Sequence, residues 1–282
     1  MAALDAALRT GIARLTLRLA AALSPPAPPP SHPATAMGIS FANPLGLAAG
    51  FDRNGSMVAK LSFCGFGFAE VGTVRLGSGR ASAMARALRH LARLPRPTLP
   101  VGINIASRAG LRDAEALAEY RTLMRALWRH ADYLVANLTA PPAASRRDAD
   151  IGEYAAFITA LCRARDDLAA ESGRRVPLAI KLRLAPGLPL RALERLAKLG
   201  IDGVVGIGAN ETIIEAAAQS LAPAALISVG GVRDAADIAA RLARGAALVQ
   251  MHTAFARGGP FFPRRVLAEL GTMRPQAAAE PT

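Results

Sequence analysis

Short apolar runs alternate with segments of helical spacing from residue 45 onward. The runs are nearly continuous in apolar residues, which indicates strands that are buried on both faces of a sheet. The segments between them repeat apolar residues every three or four positions, as amphipathic helices do. This alternation predicts a parallel sheet, and eight strands predict closure into a (β/α)8 TIM barrel. The predicted strands are Leu45–Ala49, Phe68–Thr73, Leu99–Ile105, Tyr133–Leu138, Val176–Leu182, Gly203–Ile207, Ala225–Val229 and Ala247–Met251.

Residues 1–23 carry leucine and isoleucine at helical spacing, with Arg9, Arg14 and Arg18 beside the apolar stripe. This pattern predicts an amphipathic helix, which either packs on the barrel or lies on a membrane surface. The arginines interrupt the apolar run, so we expect neither a transmembrane span nor a secretory signal peptide. The predicted domains are this helix with a proline-rich linker (1–36), the barrel (37–272) and a polar tail (273–282).

The net charge of +13 reflects an arginine-rich chain of 282 residues. Most arginines are spread over predicted helix faces, which favours a solvated basic surface over a nucleic-acid site. The two cysteines and four histidines lack the spacing of a zinc site, and the cysteine usage is typical of a reducing compartment. We therefore expect a cytoplasmic protein, with the inner face of the cytoplasmic membrane as the alternative. One local cluster comprises Arg75, Arg80, Arg86, Arg89, Arg93 and Arg96.

Polar residues at the predicted strand ends indicate an active site, because barrels of this class carry theirs at the C-terminal ends of the strands. Lys181 ends the apolar run LAIKL, where a lysine is costly to bury unless an anion or several acceptors compensate it. Asparagines at strand ends either serve a ligand or cap a loop. The residues expected at one mouth are Thr73, Asn104, Asn137, Lys181 and Thr253, with Asp52, Arg53 and Asn54 after the first strand.

Glycines end the seventh predicted strand at Gly230 and Gly231, and His252 and Thr253 end the eighth. The last two βα units of parallel barrels commonly hold a phosphate, because glycines let backbone N–H groups approach its oxygens. The alternative is an ordinary turn between a strand and a helix. Together with the amides and the lysine, the pattern favours flavin mononucleotide (FMN), whose reduced anionic ring a nearby cation would stabilise.

The motifs of the chain resemble the dihydroorotate dehydrogenase family, in particular its membrane-associated, quinone-linked class. The resemblance implies a flavin-binding barrel, in a family that oxidises dihydroorotate to orotate. The matching segments run in order over most of the chain: MGISFANPLGLAAGFDRNG (37–55), GFGFAEVGTV (65–74), PVGINI (100–105), ADYLVANLTAPP (131–142), PLAIKL (177–182), GIDGVV (200–205), ISVGGV (227–232) and ALVQMHTAF (247–255).

Residue by residue, the resemblance implies that most flavin positions are kept. His252 stands where a tyrosine is common, and Arg53 replaces a lysine with a larger, planar cation. The positions implied to lie against the flavin are Ala48, Ala49 and Gly50; those implied to bind its ring or ribityl chain are Thr73, Asn104, Asn137 and Lys181; those implied to hold its phosphate are Gly230, Gly231 and Thr253.

The substrate half departs from the family's pattern. The family's loop has the form N-x-S-S/C-P-N, and its serine or cysteine removes the C5 proton while hydride leaves C6 for the flavin. Here Ala140 occupies the position of that base and Pro142 that of a substrate-binding asparagine. The N-x-M-G-F-N-N segment after the second strand is absent from the sequence, and the residues 206–209 (GIGA) stand where T-N-T-T would complete the orotate site.

Four interpretations follow. The leading one is an FMN-dependent oxidoreductase of this family with a different small anionic substrate, and a quinone or another compound as electron acceptor. The second is a barrel without turnover that serves as a binding or scaffold subunit. The third is the orthodox enzyme, with Thr139 or a water molecule as base. The fourth, a flavoprotein of the dihydrouridine synthase type, is disfavoured because Cys64 and Cys162 lie outside the strand-end loops; no nucleic-acid partner is expected.

Overall fold

A closed barrel of eight parallel strands dominates the computed structural model, which describes residues 32–94, 99–139, 151–184, 190–208 and 210–273. Strand β10 pairs with β3 and closes the circle, which confirms the predicted (β/α)8 barrel. The strands are β1 (Ala34–Ala36), β2 (Ile39–Phe41), β3 (Leu45–Asp52), β4 (Phe68–Val74), β5 (Val101–Ile105), β6 (Tyr133–Asn137), β7 (Leu178–Arg183), β8 (Gly203–Ile207), β9 (Ala225–Val229) and β10 (Leu248–Met251).

Helices follow the barrel strands. Three of them begin at a residue whose side chain accepts a hydrogen bond from the first turn, namely Ser82, Asn210 and Asp234, as helix N-termini require. The helices are α1 (Val58–Leu61), α2 (Ala83–Leu91), α3 (Asp113–Leu127), α4 (Ile151–Ser172), α5 (Leu190–Lys198), α6 (Glu211–Leu221), α7 (Ala235–Ala243), α8 (Thr253–Gly258) and α9 (Phe262–Thr272).

Aromatic rings fill the barrel interior where glycines leave space. A Cβ atom on Gly46 would lie 2.2 Å from the ring of Phe68, and one on Gly102 would lie 2.3 Å from the ring of Tyr133. Both distances are far below van der Waals contact, so only glycine fits at these two strand positions. These rings therefore fill the interior at both glycines, and active sites of such barrels lie toward the C-terminal ends of the strands.

The hairpin β1–β2 covers the N-terminal end of the barrel, and the sequence patterns did not predict it. Met37 in its turn has a positive φ of 55°, and its sulfur lies 3.0 Å from the position a Cβ on Gly203 would take. Phe41 of β2 packs edge-on against Phe68 with ring centroids 5.3 Å apart. The predicted domain boundary between residues 36 and 37 falls within this hairpin.

Several predicted features lie outside the described residues: the helix of residues 1–23, Arg96, the loop positions Ala140 and Pro142, and the tail after residue 273. None of the described helices combines the length and the apolar character needed to cross a bilayer. Within the same part of the chain, no group of three or more metal-binding side chains is placed to hold an ion.

Candidate active site at the barrel mouth

Four of the polar residues named from the sequence form one hydrogen-bond chain at the C-terminal ends of β4, β5 and β6. Thr73 Oγ1 donates to Asn104 Oδ1 over 2.9 Å, and Asn137 Nδ2 donates to the same oxygen over 3.1 Å. Thr139 Oγ1 and N both donate to Asn137 Oδ1, over 2.8 and 3.0 Å. The structure thus brings these residues together, although Thr73 and Thr139 are far apart in the sequence.

A buried carboxylate lies beneath this chain. Glu70 accepts hydrogen bonds from Gln250 Nε2 over 2.6 Å, from Asn104 Nδ2 over 3.4 Å and from the Tyr133 hydroxyl over 3.5 Å. Burial, with the nearby Glu70 carboxylate, raises the pKa of Tyr133 well above its usual value of 10. Sequence reasoning missed Glu70 and Gln250, although polar residues inside the apolar runs FAEVGTV and LVQM were a signal for interior positions.

Lys181 lies beside this chain on β7, where it pairs with Asn137 of β6. Its side chain is only 7% exposed, and its ammonium has no hydrogen-bond or ion-pair partner in the part of the chain that the structure describes. An ammonium at the end of so buried a side chain is stabilised by nearby acceptors or negative charge. The site is therefore suited to a ligand that brings acceptor atoms or negative charge to this lysine.

The end of β3 provides both a wall and a loop. Ala48 is buried, Ala49 and Gly50 are half-buried, and a Cβ on Gly50 would meet only His252 Nε2 at 3.9 Å. Asp52 fixes the following loop, because its carboxylate accepts hydrogen bonds from the backbone N–H groups of Ser56 and Met57 over 3.1 and 2.8 Å. Arg53 is exposed on this loop.

The ends of β9 and β10 present bare backbone. Gly230 and Gly231 are exposed with positive φ angles of 96° and 72°, a conformation that favours glycine. A Cβ on Gly230 would meet only the backbone nitrogen of Gly208, at 3.7 Å. On the neighbouring strand, His252 is half-buried, its ring edge-on to Phe51 at 6.1 Å, and Thr253 is the first residue of α8. These positions leave room for a ligand to approach the backbone closely.

The predicted arginine cluster lies along the segment that follows β4. Arg75 donates from Nε to the Ser107 carbonyl over 3.2 Å, and Arg89 donates to the Arg80 carbonyl over 2.7 Å. None of the described arginines of the cluster forms a salt bridge with a described carboxylate. Burial raises the pKa of Tyr120 above its usual value, and Arg75 offsets part of that rise. The charge of Arg75 thus acts on Tyr120. The Tyr120 hydroxyl donates to the carbonyl of Asn137 over 3.0 Å, so Arg75 places its charge close to the mouth.

Comparison with known proteins identifies relatives over most of the chain. The dihydroorotate dehydrogenase (quinone) of Kineococcus radiotolerans is 33% identical over 88% of this chain and 83% of its own length. The dihydroorotate dehydrogenase (quinone) of Methylococcus capsulatus is 32% identical over 90% of this chain and 91% of its own length. A scan against models of protein families found no match.

Solved structures share the fold. The crystal structure of DHODH from Eimeria tenella in complex with ferulenol superposes with a TM-score of 0.73 and 23% identity, over 92% of this chain and 89% of that one. The ligand-free form from the same organism gives a TM-score of 0.70, over 92% of both chains. The identity to the sequence relatives over most of the chain shows that it belongs to the dihydroorotate dehydrogenase family of oxidoreductases, and the barrel fold agrees with this assignment.

Proposed function

We propose that the protein binds FMN non-covalently in the barrel mouth and acts as an oxidoreductase on a small anionic substrate. The observation that carries this proposal is Lys181, a buried residue whose ammonium lacks an acceptor among the described residues and which lies beside an ordered cluster of amides and hydroxyls. A flavin ring has acceptor atoms along one edge, and its reduced form is an anion, so it suits this lysine.

The residues present fit the rest of that cofactor as well. Thr73, Asn104 and Asn137 offer amide and hydroxyl groups near Lys181 for the ring or the ribityl chain. The wall formed by residues 48–50 has no bulky side chain, and the exposed backbone of Gly230 and Gly231, with Thr253, suits a phosphate. The remaining predicted contacts are His252, which is half-buried beside this backbone, and Arg53, which is exposed and which we expect to approach a bound ligand from the solvent side.

When bound, the flavin supplies a two-electron acceptor for a hydride from the substrate. The chain orients the site and sets its charge. Lys181 favours the reduced, anionic state of the cofactor, and the amide chain holds its polar partners in one orientation. The relatives are named as quinone-linked enzymes, so we propose a quinone as the compound that reoxidises the protein.

Dihydroorotate is not the efficient substrate in this proposal. Removal of its C5 proton needs a base within hydrogen-bond reach, and the methyl group of Ala140 cannot accept a proton. Thr139 does not replace that base. Its hydroxyl donates to the amide oxygen of Asn137, and an amide oxygen is too weakly basic to take up the hydroxyl proton when the hydroxyl attacks the C5 proton. Arg75, held at the mouth by Ser107, would attract a different anion.

Anaerobic mixing of the FMN-loaded protein with dihydroorotate tests both parts. We expect a yellow protein whose flavin is reduced by dihydroorotate about 10² to 10⁴ times more slowly than general-base catalysis would allow. Ala140→Ser should not restore rapid reduction, since the orienting residues of the family's site are missing as well. Rapid reduction of the wild-type flavin would show that the orthodox activity survives. A colourless protein that does not take up added FMN would favour a binding or scaffold role.

A further inference from the structure

Arg241 of helix α7 lies buried beneath the turn formed by Gly230 and Gly231. Its side chain donates from Nη1 to Ser228 Oγ over 2.6 Å and from Nη2 to the Gly230 carbonyl over 2.8 Å. The residue is 9% exposed, and a Cβ on Gly231 would lie 3.5 Å from Nη2. One guanidinium therefore holds the last residues of β9 and the first glycine of the turn.

This contact fixes the direction of a backbone N–H group. The peptide bond between Gly230 and Gly231 is trans, and in a planar trans peptide the C=O and the N–H point in opposite directions. Because the Gly230 carbonyl is turned inward to Arg241, the N–H of Gly231 points outward, to the exposed side of the turn. Among the described residues this N–H has no acceptor.

No acid among the described residues forms a hydrogen bond with Arg241. The nearest carboxylate in its helix, Asp237, is bound by Arg233 over 3.0 and 3.1 Å. Burial lowers the pKa of Arg241 from its usual value, and Asp237 and Glu211 offset only part of that effect. An anion above the turn would thus meet an oriented donor, with a buried positive charge directly behind it.

We propose that Arg241 is a positioning residue that aims the Gly231 N–H at the phosphate of the cofactor and gives the site its preference for a phosphorylated flavin. This inference rests on the proposed function, since it presumes a flavin in the mouth. Two unit charges about 8 Å apart at an effective dielectric of about 20 change an affinity by about 30-fold. That factor should apply to FMN and not to riboflavin, which lacks the phosphate.

The test compares the affinities of FMN and riboflavin for the full chain stripped of flavin, by quenching of flavin fluorescence. Arg241→Met should weaken FMN binding by about 30-fold and riboflavin binding by less than about threefold. Arg241→Lys keeps the charge and should retain most of the preference. Ser228→Ala is the matched control, because it removes only the hydrogen bond to Arg241 Nη1. The ratio of its FMN affinity to its riboflavin affinity should stay within about threefold of the wild-type ratio.

A purely structural role for Arg241 would lower the affinities for FMN and for riboflavin by the same factor. If Arg241→Met lowers both affinities equally, or lowers neither, the inference is overturned. If Arg241→Met does not melt cooperatively without ligand, Arg241→Gln, which is neutral and keeps a donor, takes its place under the same criterion. Failure of the proposed function has a different signature, because the wild-type protein would then bind neither FMN nor riboflavin.

Discussion

Asn137 Nδ2 donates to Asn104 Oδ1 over 3.1 Å, which joins the ends of β6 and β5 at the barrel mouth. Asn104 in turn donates from its own Nδ2 to Glu70, over 3.4 Å. Each amide is therefore fixed in one orientation, with Asn104 presenting its oxygen toward the mouth and its nitrogen toward the interior. Residues ordered in this way before a ligand arrives lose little entropy on binding.

Replacement of Asn104 by leucine should disrupt this order. Glu70, Thr73 and Asn137 would each lose one hydrogen bond while keeping others, and each lost bond costs about 0.5 to 1.5 kcal/mol. We expect lower stability in urea and little bound flavin after purification. The control is Thr139→Val, which removes one bond at the end of the chain and should cost about 0.5 to 1.5 kcal/mol. Equal losses in the two variants would contradict the proposed order.

Lys181→Met should separate ligand binding from stability. The protein without flavin should be as stable as wild type or more stable, because the substitution removes no hydrogen bond or ion pair to a described residue and keeps the apolar volume of a largely buried side chain. Flavin affinity and the flavin's reduction potential should both fall, because the cation favours the reduced anion. Thermal melts with and without FMN and a redox titration measure these effects. Lys198→Met on the surface is the control, and a flavin-free variant less stable than wild type would mean that Lys181 serves the fold.

The barrel was predictable because its signals are local. Near-continuous apolar runs give the strands, and the polar residues Thr73, Asn104, Asn137 and Lys181 stand where each run ends. Once eight parallel strands close, these ends must share one rim. The hairpin β1–β2 escaped the same analysis because its strands span only three residues each, too few to show a period.

Contacts that depend on distant partners could not be predicted. The bond between Glu70 and Gln250 joins residues 180 positions apart, and it exists only because β4 and β10 face the same barrel interior. The contacts of Arg241 with Ser228 and Gly230 depend on how α7 packs back on β9. In a helix pattern this arginine reads as another surface cation, since burial and not spacing distinguishes it.

Gly102→Ala should destabilise the barrel. The new methyl group would lie 2.3 Å from the buried ring of Tyr133, and overpacking of this kind typically costs about 1 to 3 kcal/mol. The combination with Tyr133→Val should show favourable coupling, because removal of the ring makes space for the methyl group. Urea unfolding of the four proteins in this cycle measures the coupling energy. Purely additive losses would mean that the ring and the glycine do not share the space.

Residues 1–23, which lie outside the described residues, should form a helix that binds anionic lipid. The motivation is the apolar stripe flanked by Arg9, Arg14 and Arg18. Flotation with anionic vesicles should recover the full-length protein at low salt and lose it as salt rises, because basic residues near the surface contribute about 1 kcal/mol each. A variant without residues 1–31 should stay in the aqueous fraction. If both proteins float equally poorly, the segment packs on the barrel instead.

Cys64 should make stability decline at high pH. Burial raises the pKa of its thiol from 9.0 to about 12, and Arg264 opposes this only in part. Below the pKa of the unfolded chain, near 9, the thiol is protonated in both states and contributes no pH dependence. Between about pH 9 and 12 the unfolded chain releases a proton that the folded chain retains, so unfolding is favoured by about 1.4 kcal/mol per pH unit.

The comparison of wild type with Cys64→Ala isolates this thiol, because other titrating groups are common to both proteins. The difference between their free energies of unfolding should be constant from about pH 7 to 8.5. By pH 10 the wild-type protein should have lost about 1.4 kcal/mol of its free energy of unfolding relative to Cys64→Ala. Alkylation gives an independent measurement: at pH 8 the folded thiol should react far more slowly than in urea, because the thiolate is the nucleophile. A difference independent of pH, with rapid alkylation of the folded protein, would show that the Cys64 thiol reaches solvent.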